Sequence, residues 1–158
     1  MYREGRAFAP TNVQDFQFMP GIRELIERVR TAGFRVVVVT NQPDVAKGNM
    51  TLEALEEMHR ILKRELPVDD VRMCMHVDLD SCECRKPKAG MLLEAAGTFD
   101  LDLQRSFIIG DTWRDMGAGK TASCTTILLD SGYGENHAEA ADYVVQSLDQ
   151  AARIILNA

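Results

Sequence analysis

The chain lacks any apolar run near the ~20 residues that a membrane-crossing helix requires, and no export signal opens it. It also lacks an excess of positive charge. Eighteen Lys and Arg stand against 24 Asp and Glu, a net charge of -6. That balance argues against a broad nucleic-acid surface while leaving room for a small basic pocket. No repeat, low-complexity tract or linker breaks the sequence. These absences point to a cytoplasmic protein with neither membrane nor nucleic acid as partner. What is present is ordinary globular composition, with 27% charged and 46% hydrophobic residues in 158. A chain of this length is expected to form one domain, 1–158, and to work as a monomer.

Hydrophobic periodicity alternates between helix and strand. Ile22, Leu25, Ile26 and Val29 recur at helical spacing before Gly33. Phe34–Val39 is a β-branched run without polar alternation and reads as a buried parallel strand. The pattern predicts a helix over Thr51–Leu66, with Thr51 as N-cap and a stripe of Leu52, Leu55, Met58, His59 and Leu62. Strands are predicted at 71–75, 106–110, 124–130 and 142–145, and helices at 90–98, 113–123 and 148–156. Such alternation implies an α/β fold whose ligands sit at the carboxyl ends of parallel strands. Function should therefore concentrate at 40–43, 74–88 and 110–115.

Three of the four cysteines fall in CMHVDLDSCECRKP, residues 74–87. Cys74-x-His76 and Cys82-x-Cys84 can fold back as two pairs around one tetrahedral ion. Thiolates and imidazole in a reducing compartment suit structural Zn²⁺. The competing readings are incidental free cysteines or a very tight disulfide. Asp78 and Asp80 read as solvated loop acids, and Cys124 as a small core residue.

Other short stretches each allow two readings. In VVVVTNQ, Thr40, Asn41 and Gln42 can donate to phosphate oxygens, or they can form a turn that caps the next helix. Arg85-Lys86-Pro87-Lys88 is either a solvated basic face or a set of placed cations able to offset phosphate charge. In FIIGDTWRDMGAG, Asp111 and Asp115 can share one side of a strand end and suit Mg²⁺. Alternatively one of them caps the helix and the other is a surface acid. His59 and Trp113 read as packing residues or, for Trp113, as part of a pocket mouth. His137 reads as a loop residue.

Taken in order, VTNQ, Cys-x-His…Cys-x-Cys-Arg-Lys-Pro and IIGD-x-x-x-D closely resemble the haloacid dehalogenase superfamily of phosphatases, subfamily IIIA. The nearest branch contains heptose bisphosphate and histidinol-phosphate phosphatases, and the likeness runs from about Arg3 to Tyr143. The resemblance implies a Rossmann-like three-layer α/β/α sandwich with a mainly parallel sheet and no large cap domain. It implies Thr40 and Lys86 as catalytic residues, Thr40 steadying the transferring phosphoryl group and Lys86 its charge. Asn41, Gln42, Pro43, Arg85 and Thr112 would contact substrate, a small phosphorylated metabolite. Asp111 would bind catalytic Mg²⁺ with Asp115 in support, and Cys74, His76, Cys82 and Cys84 would bind Zn²⁺.

The family's reaction starts from an N-terminal central strand ending in Asp-x-Asp-Gly, whose first Asp attacks phosphorus and whose second is acid and base. The first aspartate here is Asp15, and no Asp-x-Asp-Gly occurs; Arg3-Glu4-Gly5 is only a superficial echo. The expectation is a chain begun late, lacking that central strand and inactive in this form. For the complete product it is a Mg²⁺-dependent phosphatase. Lys88-Ala89-Gly90-Met91 leans towards heptose bisphosphate; histidinol phosphate, or a non-catalytic zinc-containing phosphate-binding module, are the alternatives.

Overall fold

The computed structural model describes residues 2–3, 6–7, 9–130 and 141–158, so His137, Glu4 and Gly5 lie outside the described residues. Two compact units divide the chain, Met1–Asp80 and Ser81–Ala158.

In the first unit, β1 (Tyr2–Arg3) and β2 (Arg6–Ala7) pair antiparallel, Tyr2 opposite Ala7. Helix α1 (Ile22–Thr31) buries Leu25, Ile26 and Val29, the stripe its periodicity predicts. Strand β3 is Val37–Asn41, displaced towards the C-terminus from the expected 34–39. The displacement has a local cause. The Phe34 N–H closes α1 by donating to the Val29 carbonyl at 3.0 Å, and the Val36 N–H donates to Asp69 Oδ2 at 2.7 Å. Those residues are committed before the ladder begins, and Thr40 and Asn41 are drawn into it instead. Strand β3 pairs in parallel with β4 (Asp70–Cys74), from Val37 opposite Asp70 to Asn41 opposite Cys74. All five β3 residues are half-buried rather than buried, in a ladder that has two strands among the described residues. Burial opposes ionisation of Asp69, but the Val36 N–H, Arg35 and Arg30 outweigh it and hold its carboxyl below the usual range.

Pro43 opens the short α2 (Pro43–Ala46), which the sequence reading did not anticipate. Helix α3 (Leu52–Glu65) starts as predicted, with the Thr51 hydroxyl accepting from the Ala54 N–H at 3.2 Å. Leu55 and Met58 join Met50 in a core cluster covered by Val13, Phe16, Val45, Ala54 and Met75. Leu52 departs from its predicted place in the stripe: it opens the first turn of α3 and is 41% exposed. His59 is half-buried; desolvation first, then the Lys63 charge, lowers its pKa.

The second unit contains α4 (Gly90–Phe99), β5 (Phe107–Gly110), α5 (Trp113–Thr121), β6 (Thr125–Leu129), β7 (Tyr143–Val145) and α6 (Leu148–Leu156). Strands β5, β6 and β7 form one parallel ladder in that order, with α5 against β5 and β6, and α6 against β6 and β7. Ile108, Ile127, Leu128, Leu129 and Val145 are buried on the strands, and Met116, Ala118, Ala151 and Ala152 on the helices. Cys124 is buried just before β6, as its core reading required, and burial pushes its thiol pKa up. Both units thus have the expected α/β character with parallel strands. Among the described residues, no helix is long and apolar enough to cross a membrane.

Candidate active site and metal centre

Thr40 and Asn41 end β3, Gln42 follows, and Pro43 begins α2, all four half-buried. The Gln42 N–H donates to the Cys74 carbonyl at 2.7 Å, continuing the β3–β4 pairing one step past the strand. Its Nε2 donates to Thr40 Oγ1 at 3.2 Å, whereas Oε1 is buried without a partner. Gln42 also occupies the N-cap position of α2 but makes no side-chain cap bond there. The side-chain amide is therefore held at one end and unsatisfied at the other. The Gln42 side chain therefore does not cap α2, and one acceptor on it remains unsatisfied.

At the end of β5 the arrangement is tighter. Asp115 is buried, and its Oδ1 accepts from Lys86 Nζ at 2.5 Å. Its Oδ2 accepts from the Thr112 hydroxyl at 2.6 Å and from the Thr112 N–H at 3.2 Å. Asp115 is thus both the capping acid of α5 and the anion that holds Lys86. Gly110 makes this possible: a Cβ there would lie 2.2 Å from Asp115 Cβ. Asp111 stays open to solvent at its rim, yet desolvation raises its pKa, the Asp115 charge adds to that, and Lys86 opposes it. The Asp111 and Asp115 carboxylates thus lie within electrostatic range of each other, with Lys86 offsetting part of their repulsion. Asp111 carries the hard carboxylate oxygens that Mg²⁺ accepts as ligands, while each Asp115 oxygen already has a protein donor.

The basic stretch divides by residue. Lys86 has a side chain only 12% exposed and is locked to Asp115, so the solvated-face reading fails for it. Arg85 is half-buried. Lys88 is exposed, bonding Glu83 Oε1 at 2.8 Å and the Cys82 carbonyl at 2.6 Å. The Glu83 bond chiefly raises its pKa, against a little desolvation, with Cys82 and Cys84 adding to the rise. Trp113 is half-buried, with the Arg114 guanidinium 4.6 Å from its ring centroid.

One ligand atom from each of Cys74, His76, Cys82 and Cys84 lies within 4.8 Å of all the others along the 74–84 loop. Cys74 is buried, Cys82 and Cys84 are half-buried, and none of them is in a disulfide. Zinc–sulfur and zinc–nitrogen bonds of about 2.3 and 2.0 Å place tetrahedral neighbours about 3.5–3.8 Å apart. Cys74 Sγ and His76 Nδ1 are 3.4 Å apart, already at that spacing. The donor set fits Zn²⁺ after a small contraction. Asp78 and Asp80 are exposed loop acids as expected, Asp80 accepting from the Val77 N–H at 2.7 Å.

A family model described as HAD-hydrolase-like matches residues 83–151. The D-glycero-beta-D-manno-heptose-1,7-bisphosphate 7-phosphatase of Helicobacter pylori (strain J99) is 36% identical over 122 residues, 73% of this chain and 70% of that protein. The chain belongs to the haloacid dehalogenase-like family of phosphatases. The Pasteurella multocida phosphatase of the same name is 32% identical over 157 residues, covering 90% of this chain and 85% of its own. A crystal structure of D,D-heptose 1,7-bisphosphate phosphatase from B. bronchiseptica, complexed with magnesium and phosphate, superposes with a TM-score of 0.80. It is 29% identical and covers 93% of this chain and 88% of its own. Within this family, the sequence reading missed the Thr112–Asp115 bond, although Thr-x-x-Asp at a helix start is a capping pattern. It also missed the Lys86–Asp115 pair, 29 residues apart, for which the sequence carries no local signal.

Proposed function

We propose that this chain carries the phosphate-handling groups of a Mg²⁺-dependent phosphatase that removes the 7-phosphate of D-glycero-D-manno-heptose 1,7-bisphosphate in the cytoplasm. The observation that carries the reading is the Lys86–Asp115–Thr112 network beside Asp111 at the end of β5. The names of the relatives supply the substrate.

In this proposal Asp115 aims Lys86, so the ammonium offsets charge gathering on the phosphoryl oxygens as the ester bond breaks. By the resemblance, Thr40 would donate its hydroxyl to a phosphoryl oxygen, and Asn41, Gln42, Pro43 and Arg85 would contact substrate. Asp111 is the carboxylate that would hold Mg²⁺, which when bound supplies further charge neutralisation at phosphoryl oxygens. Cys74, His76, Cys82 and Cys84 would hold Zn²⁺ in a closed structural set. No residue is assigned as the nucleophile.

The test pairs calorimetric binding with phosphate release, each with Mg²⁺, for the heptose bisphosphate and for histidinol phosphate. Tighter binding of the heptose bisphosphate supports the reading, and this form, which lacks Asp-x-Asp-Gly, is expected to release no phosphate. Preference for histidinol phosphate overturns the substrate, and binding of neither overturns the function.

A further inference from the structure

The stretch that follows the second pair of cluster ligands is tied back on itself. Lys88 Nζ donates to the Cys82 carbonyl at 2.6 Å and to Glu83 Oε1 at 2.8 Å. The Lys88 N–H donates to the Arg85 carbonyl at 2.9 Å, and the Gly90 N–H to the Glu83 carbonyl at 3.1 Å. A side chain at Gly90 would prevent the last of these, since its Cβ would lie 2.4 Å from Glu83 O. Cys82-x-Cys84 is therefore held by backbone bonds on one side and by a single ammonium on the other.

That ammonium gains little from its carboxylate. The Lys88 and Glu83 side chains are 46% and 86% exposed, and ion pairs in such surroundings contribute almost nothing to stability. Its placement has a different chemical logic. Three thiolates and a neutral imidazole around Zn²⁺ leave one net negative charge, and thiols must lose their protons to bind the ion. Lys88 grips the carbonyl of Cys82, which sets its ammonium beside the Cys82-x-Cys84 pair.

We propose that Lys88 is a positioning residue of the cysteine–histidine centre: its ammonium fixes the Cys82-x-Cys84 pair through the Cys82 carbonyl and offsets the negative charge of the zinc-bound set. The inference rests on the zinc reading of the cluster. Groups that orient ligands from behind a metal site commonly change its affinity by about 10- to 100-fold. The bond here reaches a ligand's backbone rather than its sulfur, which puts the expected effect near the lower end.

The experiment titrates metal-free protein with Zn²⁺ against a chelating indicator and with Co²⁺ by absorption, for the parent chain, Lys88→Met, Lys88→Gln and Lys88→Arg. The expected result is one Zn²⁺ per parent chain and about tenfold weaker binding in the Met and Gln variants. Lys88→Arg should recover most of the affinity, and the metal-free unfolding midpoints should coincide. If Lys88→Met fails to fold, the Gln and Arg variants carry the same comparison. Parent-like zinc affinity in the neutral variants overturns the role of Lys88 alone. A parent chain that binds no zinc, or gives no thiolate–cobalt absorption, overturns the zinc reading together with the inference drawn from it.

Discussion

The ends of β3 and β5 handle polar groups in opposite ways. After β5, each oxygen of Asp115 already has a protein donor, and Lys86 is fixed by the same carboxylate. After β3, Thr40 and Gln42 share one 3.2 Å hydrogen bond and Gln42 Oε1 has no partner. One strand end is organised by its own contacts; the other keeps one acceptor in reserve. A charge that must act on a transition state gains from being fixed beforehand. Groups that select a substrate need vacancies, and those vacancies cost stability.

Lys86→Ala attacks the organised end and should have the largest effect. It removes the phosphoryl-directed charge of the proposed reaction and also strands a buried carboxylate, at about 3–5 kcal/mol of folding stability. Urea unfolding measures the second effect separately from phosphate binding. A stability change under 1 kcal/mol would show that Asp115 finds another partner.

Gly110→Ala tests the same end without touching its chemistry. The new methyl would displace the buried Asp115 side chain, and overpacking of this kind typically costs about 1–3 kcal/mol. The expected result is a lower unfolding midpoint with a weakened Lys86 effect. Independent, additive effects of the two substitutions would refute the steric link.

The reserve end should respond the other way. Gln42→Leu removes a buried acceptor that has no partner, so stability should stay within about 1 kcal/mol of the parent or rise, while affinity for the sugar phosphate falls. Loss of stability without loss of affinity would reverse the assignment.

The smallest expected effect lies away from both ends, and it is a pH effect. Asp142 has its pKa lowered to about 2, first by Lys120 and then by the Thr126 N–H and hydroxyl. Because the folded value lies below the ordinary 3.8, this contribution is complete above that value and disappears as pH falls through about 2. The carboxylate is partly exposed, so screening should keep the effect to about 1 kcal/mol or less. Urea unfolding of Asp142→Asn beside the parent at pH 6 and pH 2 checks it: the difference should be present at pH 6 and shrink at pH 2.

The sequence showed the elements more clearly than the connections between them. Helix stripes such as Leu25, Ile26 and Val29, the Thr51 cap and the extent of 148–156 follow from periodicity and cap chemistry, which act within a few residues. The cysteine–histidine grouping was legible because its ligands are close in sequence and chemically unusual. The start of β3 was misjudged because Asp69, more than thirty residues on, takes the Val36 N–H. Leu52 was misjudged because periodicity shows the direction of a stripe and not where its packing partners stop. The double duty of Asp115 was hidden for the same kind of reason. Capping is local, whereas the choice of Lys86 as partner is made only when the chain folds.

Asp115 also constrains how this part of the chain can change over generations. Its carboxylate meets the first turn of α5 and the ammonium of Lys86, and its side chain leaves no room for a larger residue at 110. A substitution at any one of these positions spoils an arrangement that the others were fitted to. Positions 86, 110, 112 and 115 should therefore drift slowly and as a set, and descendants that abandon the chemistry should lose them together.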